Sequence, residues 1–233
     1  MIVKKSLLTL LFLNLFASSF SNAEEIGIFL LPSKASEMKI LKKRGDLWQN
    51  LIKAGVQWNR KENILHSSIF QGIFNKKGLH KLKKKIQILA ESSQPIYIQS
   101  IPNLEDTQEN IFMNLELNEA LKKICDLFYQ DKLFEIRTSD RILMQLTRDV
   151  EQGISDTKQK LLKKYGLHWN VPETGYNPHF TLAYGTKKNA SIKSTLKKVK
   201  YKPLDITFDR IGIGKLGYHG NLLKVLYSFP LGK

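Results

Sequence analysis

The chain has 233 residues, with 37 Lys and Arg against 21 Asp and Glu, and a formal charge of +16 at pH 7. Its one cysteine, Cys125, excludes a small scaffold stapled by intramolecular disulfides, and no glycine-arginine or serine-rich tract marks a disordered RNA-binding tail. The basic surplus favours polyanions such as RNA or an anionic surface, without selecting one.

Lys4 and Lys5 precede the apolar run Leu7 to Phe20, and Ser21-Asn22-Ala23 supplies a small-x-small cleavage site, the pattern of a secretory signal peptide. The run is too short for a comfortable bilayer span. Residues 1–23 are therefore predicted to be a cleaved signal peptide. Residues 24–233 then form one exported domain, periplasmic or secreted, with no stable membrane insertion.

Glu25 to Leu31 reads as a strand ended by Pro32, followed by a helix from about Ser36 to Ala54 that Gly55 stops. His66 is expected on the next strand. Leu79, Leu82, Ile86, Leu89 and Ala90 trace one helical face, and Pro95 opens a strand over Ile96 to Ile101. Ile111, Met113, Leu115 and Leu117 alternate as in a strand, and Ala120 to Phe128 returns to helical spacing with Cys125 among its apolar residues. A helical stretch from about Arg141 to Tyr165 is expected to break near Gly153 and stop at Gly166. A strand around Pro178 to Tyr184, a helix marked by Ile192, Leu196 and Val199, and strands over Leu204 to Ile213 and Leu222 to Phe229 complete the pattern.

Two strings stand out in this order. Leu65-His66-Ser67-Ser68-Ile69 and Pro178-His179-Phe180-Thr181-Leu182 both read His, any residue, hydroxyl, apolar. On strands, whose side chains alternate between faces, His66 and Ser68 point one way, as do His179 and Thr181. Ser67 turns away. Phe70 and Ala183 would continue the two rows, so Phe70 is a candidate to stack on a nucleobase, although aromatic strand residues are more often core. Each motif is followed by helix, strand, strand, which predicts a duplicated unit and an α+β fold of two pseudo-symmetric lobes. Each lobe is expected to be a mainly antiparallel sheet with outer helices, flanking a central cleft that carries both motifs.

The motif pair and its flanks resemble the 2H phosphoesterases, the superfamily of bacterial 2′,5′ RNA ligase-like proteins and cyclic phosphodiesterases. Ile26 to Pro32 is similar to the family's opening strand, Asn63 to Gly72 to its first motif strand, and Asn177 to Gly185 to its second. By this resemblance His66 and His179 are the catalytic acid and base, in an order left open, and Ser68 and Thr181 bind the substrate phosphate. Physical logic agrees. Opening a 2′,3′-cyclic phosphodiester needs one group to take a proton from water and another to protonate the leaving ribose oxygen, and imidazoles suit both tasks near neutral pH without a metal or other cofactor. Nearby lysines would help stabilise charge on the phosphate oxygens.

The expected substrates are nucleotides, RNA ends or other small phosphodiesters, handled by a monomer. The alternative is a non-catalytic protein of the same fold that binds a nucleotide, an RNA end or a partner. His80, His168 and His219 lack metal-ligand spacing, and Tyr176 and Tyr218 are weaker loop candidates. Gly212-Ile213-Gly214-Lys215-Leu216-Gly217 satisfies G-x-G-x-x-G, but no helix follows it. It is expected to be a twisted or bulged strand end.

Overall fold

The first strand, β1 (Glu24–Pro32), is buried on both faces from Ile26 onward, as its unbroken apolar run requires. Ile26, Ile28 and Leu30 enter the main core, while Phe29 and Leu31 enter a smaller cluster with Leu222. The computed structural model describes residues 23–53, 64–107, 110–138, 143–151, 153–184, 194–197, 202–217 and 220–232. All but Ala23 of the expected signal peptide lies outside these residues, as do Tyr218 and His219. Among the described residues no helix is long and apolar enough to cross a membrane.

After β1 come α1 (Lys34–Lys53), β2 (Ser67–Phe74), α2 (Lys76–Glu91), β3 (Ile96–Asp106), β4 (Asn110–Leu115) and α3 (Glu119–Gln130). A 3-10 turn (Leu133–Ile136), α4 (Met144–Glu151), α5 (Asp156–Tyr165), β5 (His179–Tyr184), β6 (Asp205–Leu216) and β7 (Leu222–Pro230) follow. Side chains of Asn75 and Asn118 accept hydrogen bonds from the first-turn amides of α2 and α3. The expected break between α4 and α5 is present, with Gly153 at φ 84°, and Gly166 closes α5 at φ 80°. Cys125 is buried in α3, as its apolar company predicts.

The α+β class is as expected, but the strands form one seven-stranded antiparallel sheet in the order β2-β1-β6-β3-β4-β5, with β7 also on β6. That order reads the same from either end if β2 is matched with β5, β1 with β4 and β6 with β3. The repeat therefore starts one strand earlier than the motif spacing suggested. Each half runs strand, motif strand, strand, and the third strand of each half crosses over to pair in the other half. Residues 194–197 are helical, where the last helix was expected.

The two motif strands also share an irregularity. On β2, Ser68 pairs with Phe29 and Phe70 with Ile28, so Ile69 is an extra residue; on β5, Thr181 pairs with Phe112 and Ala183 with Ile111, so Leu182 is extra. A bulge thus follows the hydroxyl residue in both motifs. It shifts the alternation by one position.

Candidate active site

The two motifs converge. His66, Ser68, His179 and Thr181 line one cavity of about 310 Å³, with Gln71, Asn110, Phe112, Trp169, Asn170, Asn177 and Gly220 completing its wall. A mononucleotide-sized ligand suits such a volume.

Both imidazoles are fixed in the same way. His66 Nδ1 lies 2.7 Å from the carbonyl of Ile64, and His179 Nδ1 lies 2.9 Å from the carbonyl of Asn177, each two residues upstream. A carbonyl only accepts, so Nδ1 carries the proton in both rings, and Nε2 is left as the atom available for proton transfer. The ring of His66 rests edge-on against Phe29 at 5.5 Å between centroids, and that of His179 stacks on Phe112 at 3.9 Å.

Phe29 explains the glycine pattern of β6. Cβ atoms added at Gly212 and Gly214 would come within 2.5 Å and 3.0 Å of the Phe29 ring. The glycines open the space that lets Phe29 support His66. The expectation of a bulged strand is borne out, since the β6–β7 register shifts between Ile213 and Gly214.

Burial sets the electrostatics. Desolvation pushes the His66 imidazolium down to about 4, and the nearby His179 adds to the depression while the Ile64 carbonyl opposes it. His179 is also lowered by burial, but the Asn177 carbonyl and the carboxylate of Glu105 pull it back up. The two rings are therefore alike in geometry and unlike in proton affinity.

The segment before the second motif braces the first. Tyr176 Oη donates to the carbonyl of Ser68 at 2.8 Å, and Asn170 Nδ2 approaches the same carbonyl at 3.4 Å. Asn170 Oδ1 in turn accepts the amide of Asn177 at 3.1 Å, which ties the turn leading into His179 to the strand carrying Ser68. Asn170 adopts φ 51°, a left-handed conformation that Asn tolerates better than most residues. Ser68 Oγ accepts from Gln71 Nε2 at 3.3 Å, which leaves its own hydroxyl hydrogen able to donate to a ligand.

Two expectations need correction. Phe70 is no candidate for stacking on a base: it is 1% exposed and packs among Phe74, Phe128 and Tyr129 in the core, as Ala183 also lies in the core. The bulge at Ile69 inverts the alternation, so Gln71 rather than Phe70 continues the row from His66 and Ser68 into the cavity. No lysine or arginine lines the cavity among the described residues, so the expected lysine assistance has no side chain there. Aromatic surface comes instead from Trp169 and Phe112, and amides from Gln71, Asn110, Asn170 and Asn177. None of these six was visible as a site residue: Trp169, Asn170 and Asn177 lie in the segment before β5, Gln71 follows the bulge, and Asn110 and Phe112 lie on β4, which carries no motif. Among the described residues no three His, Cys, Asp or Glu side chains are grouped so as to hold a metal ion.

No protein-family model matches the sequence, and no curated protein matches it. Solved structures do resemble it in three dimensions. Apo LigT of E. coli superposes with a TM-score of 0.50 at 10% identity, over 91% of this chain and 100% of that one. TT0787 of Thermus thermophilus gives 0.47 at 13% identity, over 89% and 98%. Usb1 of Kluyveromyces marxianus gives 0.44 at 13% identity, over 89% and 98%. The fold is thus that of LigT, as the motif pair led us to expect.

Proposed function

We propose that the protein is an exported phosphodiesterase that hydrolyses 2′,3′-cyclic phosphates of nucleotides or RNA ends, or a related small phosphodiester, by two-histidine acid/base catalysis. The observation that carries this reading is the meeting of two His-x-Ser/Thr motifs in one cavity, each imidazole anchored through Nδ1 to a backbone carbonyl. Among the described residues that line the cavity, nothing else offers a matched pair of groups for proton transfer.

In this reaction water attacks phosphorus while Nε2 of one histidine takes its proton, and the bond from phosphorus to one ribose oxygen breaks as the other histidine protonates that oxygen. The product is a phosphomonoester and a free hydroxyl. The proton affinities suggest the division of labour. His66, the harder to protonate, serves as base, and His179, supported by Glu105, carries the proton that the leaving oxygen needs. Ser68 and Thr181 donate to the non-bridging oxygens. Asn170 and Tyr176 hold Ser68 in register for that role.

The experiment uses purified residues 24–233 with 2′,3′-cyclic mononucleotides and a short RNA bearing a cyclic phosphate end, in EDTA, beside His66→Gln and His179→Gln. Turnover in EDTA that falls by about 10²- to 10⁴-fold in each variant supports the mechanism. A folded wild-type protein that binds these ligands and yields no product from pH 5 to 9 refutes it in favour of a binding protein. Mass spectrometry of the protein recovered outside the cytoplasm checks export, with Glu24 expected as the new N-terminus.

A further inference from the structure

A second concave surface lies beyond the C-terminal end of β2. It encloses about 930 Å³ between α2 and the 3-10 turn, and its wall includes Lys77, Lys81, Lys84, Lys85 and Lys132, against the carboxylates of Asp131 and Glu135. None of these five lysines has an ion-pair partner among the described residues. Lys77, Lys81 and Lys85 follow one another at four-residue spacing on α2, an arrangement of like charges that weakens a helix. Lys132 is held at φ 51°, a left-handed conformation that is unfavourable for a non-glycine residue. Both features work against stability, and both bring positive charge into the groove.

We infer that this groove binds the phosphate backbone of single-stranded RNA. The choice of occupant rests on the phosphodiesterase reading of the cavity at the two histidines. Gln71 lines that cavity and Asn75 lines the groove, four residues further along the same strand direction, a separation of roughly 13 Å. At this spacing a mononucleotide in the cavity would fall short of the groove, whereas a strand of several nucleotides is long enough to span both. The groove would therefore separate oligonucleotide substrates from mononucleotides through backbone charge alone, with no reading of sequence. A membrane surface is the poorer partner. The apolar face of α2, with Leu82, Ile86, Leu89 and Ala90, is buried in the core, which leaves Ile88 as the exposed large apolar residue of this wall.

The test is a variant with Lys77, Lys81, Lys84, Lys85 and Lys132 all replaced by Gln, a good helix former. Its control replaces Lys42, Lys43, Lys53, Lys158 and Lys160, which lie outside the groove, and so removes the same charge elsewhere. Anisotropy of a fluorescein-labelled single-stranded RNA of about 12 nucleotides is followed against salt. The groove variant is expected to lose at least about tenfold in affinity, and its log–log salt slope should become shallower by up to about 3.5, since each phosphate contact on single strands contributes about 0.7. Turnover of the cyclic mononucleotide is expected to stay at the wild-type rate, and the control variant to bind RNA as the wild type does.

Equal RNA affinity and salt slope in the groove variant and the wild type overturn the inference. So does a loss confined to phosphatidylglycerol vesicles, which would make the groove a membrane contact. A wild-type protein that turns over neither cyclic substrate yet binds RNA through these lysines defeats the phosphodiesterase reading and leaves the groove standing.

Discussion

Tyr176→Phe removes one hydroxyl and keeps the ring, so it isolates the brace between the two motifs. In the native protein that hydroxyl donates to the Ser68 carbonyl at 2.8 Å and lies 3.4 Å from Ser67 Oγ, whose side chain is fully buried. Leaving a buried polar group without its partner costs about 1–3 kcal/mol. Asn170 Nδ2 still approaches the Ser68 carbonyl, which keeps the expected loss in the lower part of that range, about 1–2 kcal/mol. For a domain of this size that corresponds to a fall in Tm of roughly 2–8 °C, measurable by differential scanning calorimetry. Because the same hydrogen bond fixes the backbone at Ser68, the proposed phosphate ligand, KM for a cyclic nucleotide should rise several-fold while the histidines keep their anchors. A variant whose Tm lies within about 1 °C of wild type and whose KM is unchanged would show that the brace is not a working contact.

Phe70→Ala should lower stability by about 3–5 kcal/mol in a denaturant titration, as for other buried aromatics, and Phe70→Leu by less; KM for a cyclic nucleotide should not respond to Phe70→Leu, and a rise would return this ring to the binding site. The imidazole of His66 should titrate near pH 4 when followed by NMR, and a midpoint near the ordinary 6.5 would contradict its burial. Because that folded value lies below the unfolded one, the unfolded chain binds more protons between them. The contribution to stability is whole above pH 6.5 and is lost as the pH falls towards 4, of order 3 kcal/mol in all. His66→Asn should flatten that part of the pH–stability curve. Gly214→Ala places a methyl group against the Lys224 carbonyl and Phe29, and should cost about 1–3 kcal/mol by calorimetry; an unchanged Tm would show that the β6–β7 bulge has room to relax.

Much of this architecture could be read from periodicity. The unbroken apolar run of β1 and the stops at Gly153 and Gly166 are local signals, and local physics decided those elements. The convergence of His66, Ser68, His179 and Thr181 was also legible, because each motif needs only strand alternation over three residues. Phe70 was not, since alternation extrapolates correctly only while pairing is regular, and the bulge at Ile69 is set by the partner strand β1. The repeat frame was misread for a related reason. The motif strand is the visible landmark, yet β1 and β4 lie beside the motif strands without carrying any motif of their own.

The proposed mechanism gives two equivalently anchored histidines different roles. A perfect twofold arrangement would give both imidazoles the same proton affinity, and an acid/base pair works best when one ring is protonated while the other is bare. Here the anchors are equivalent and the surroundings are not. His66 is 6% exposed, against Phe29, with no carboxylate contributing to its proton affinity, whereas Glu105 favours the charged form of His179. Glu105 therefore favours the first proton on His179, whose charge would then disfavour a second on His66. A phosphodiester anion bound between them would raise both, bringing the acid closer to neutral pH while leaving the order unchanged. In the proposed mechanism the symmetry of the fold thus positions two like groups, and the asymmetry of burial and of one carboxylate divides the roles between them.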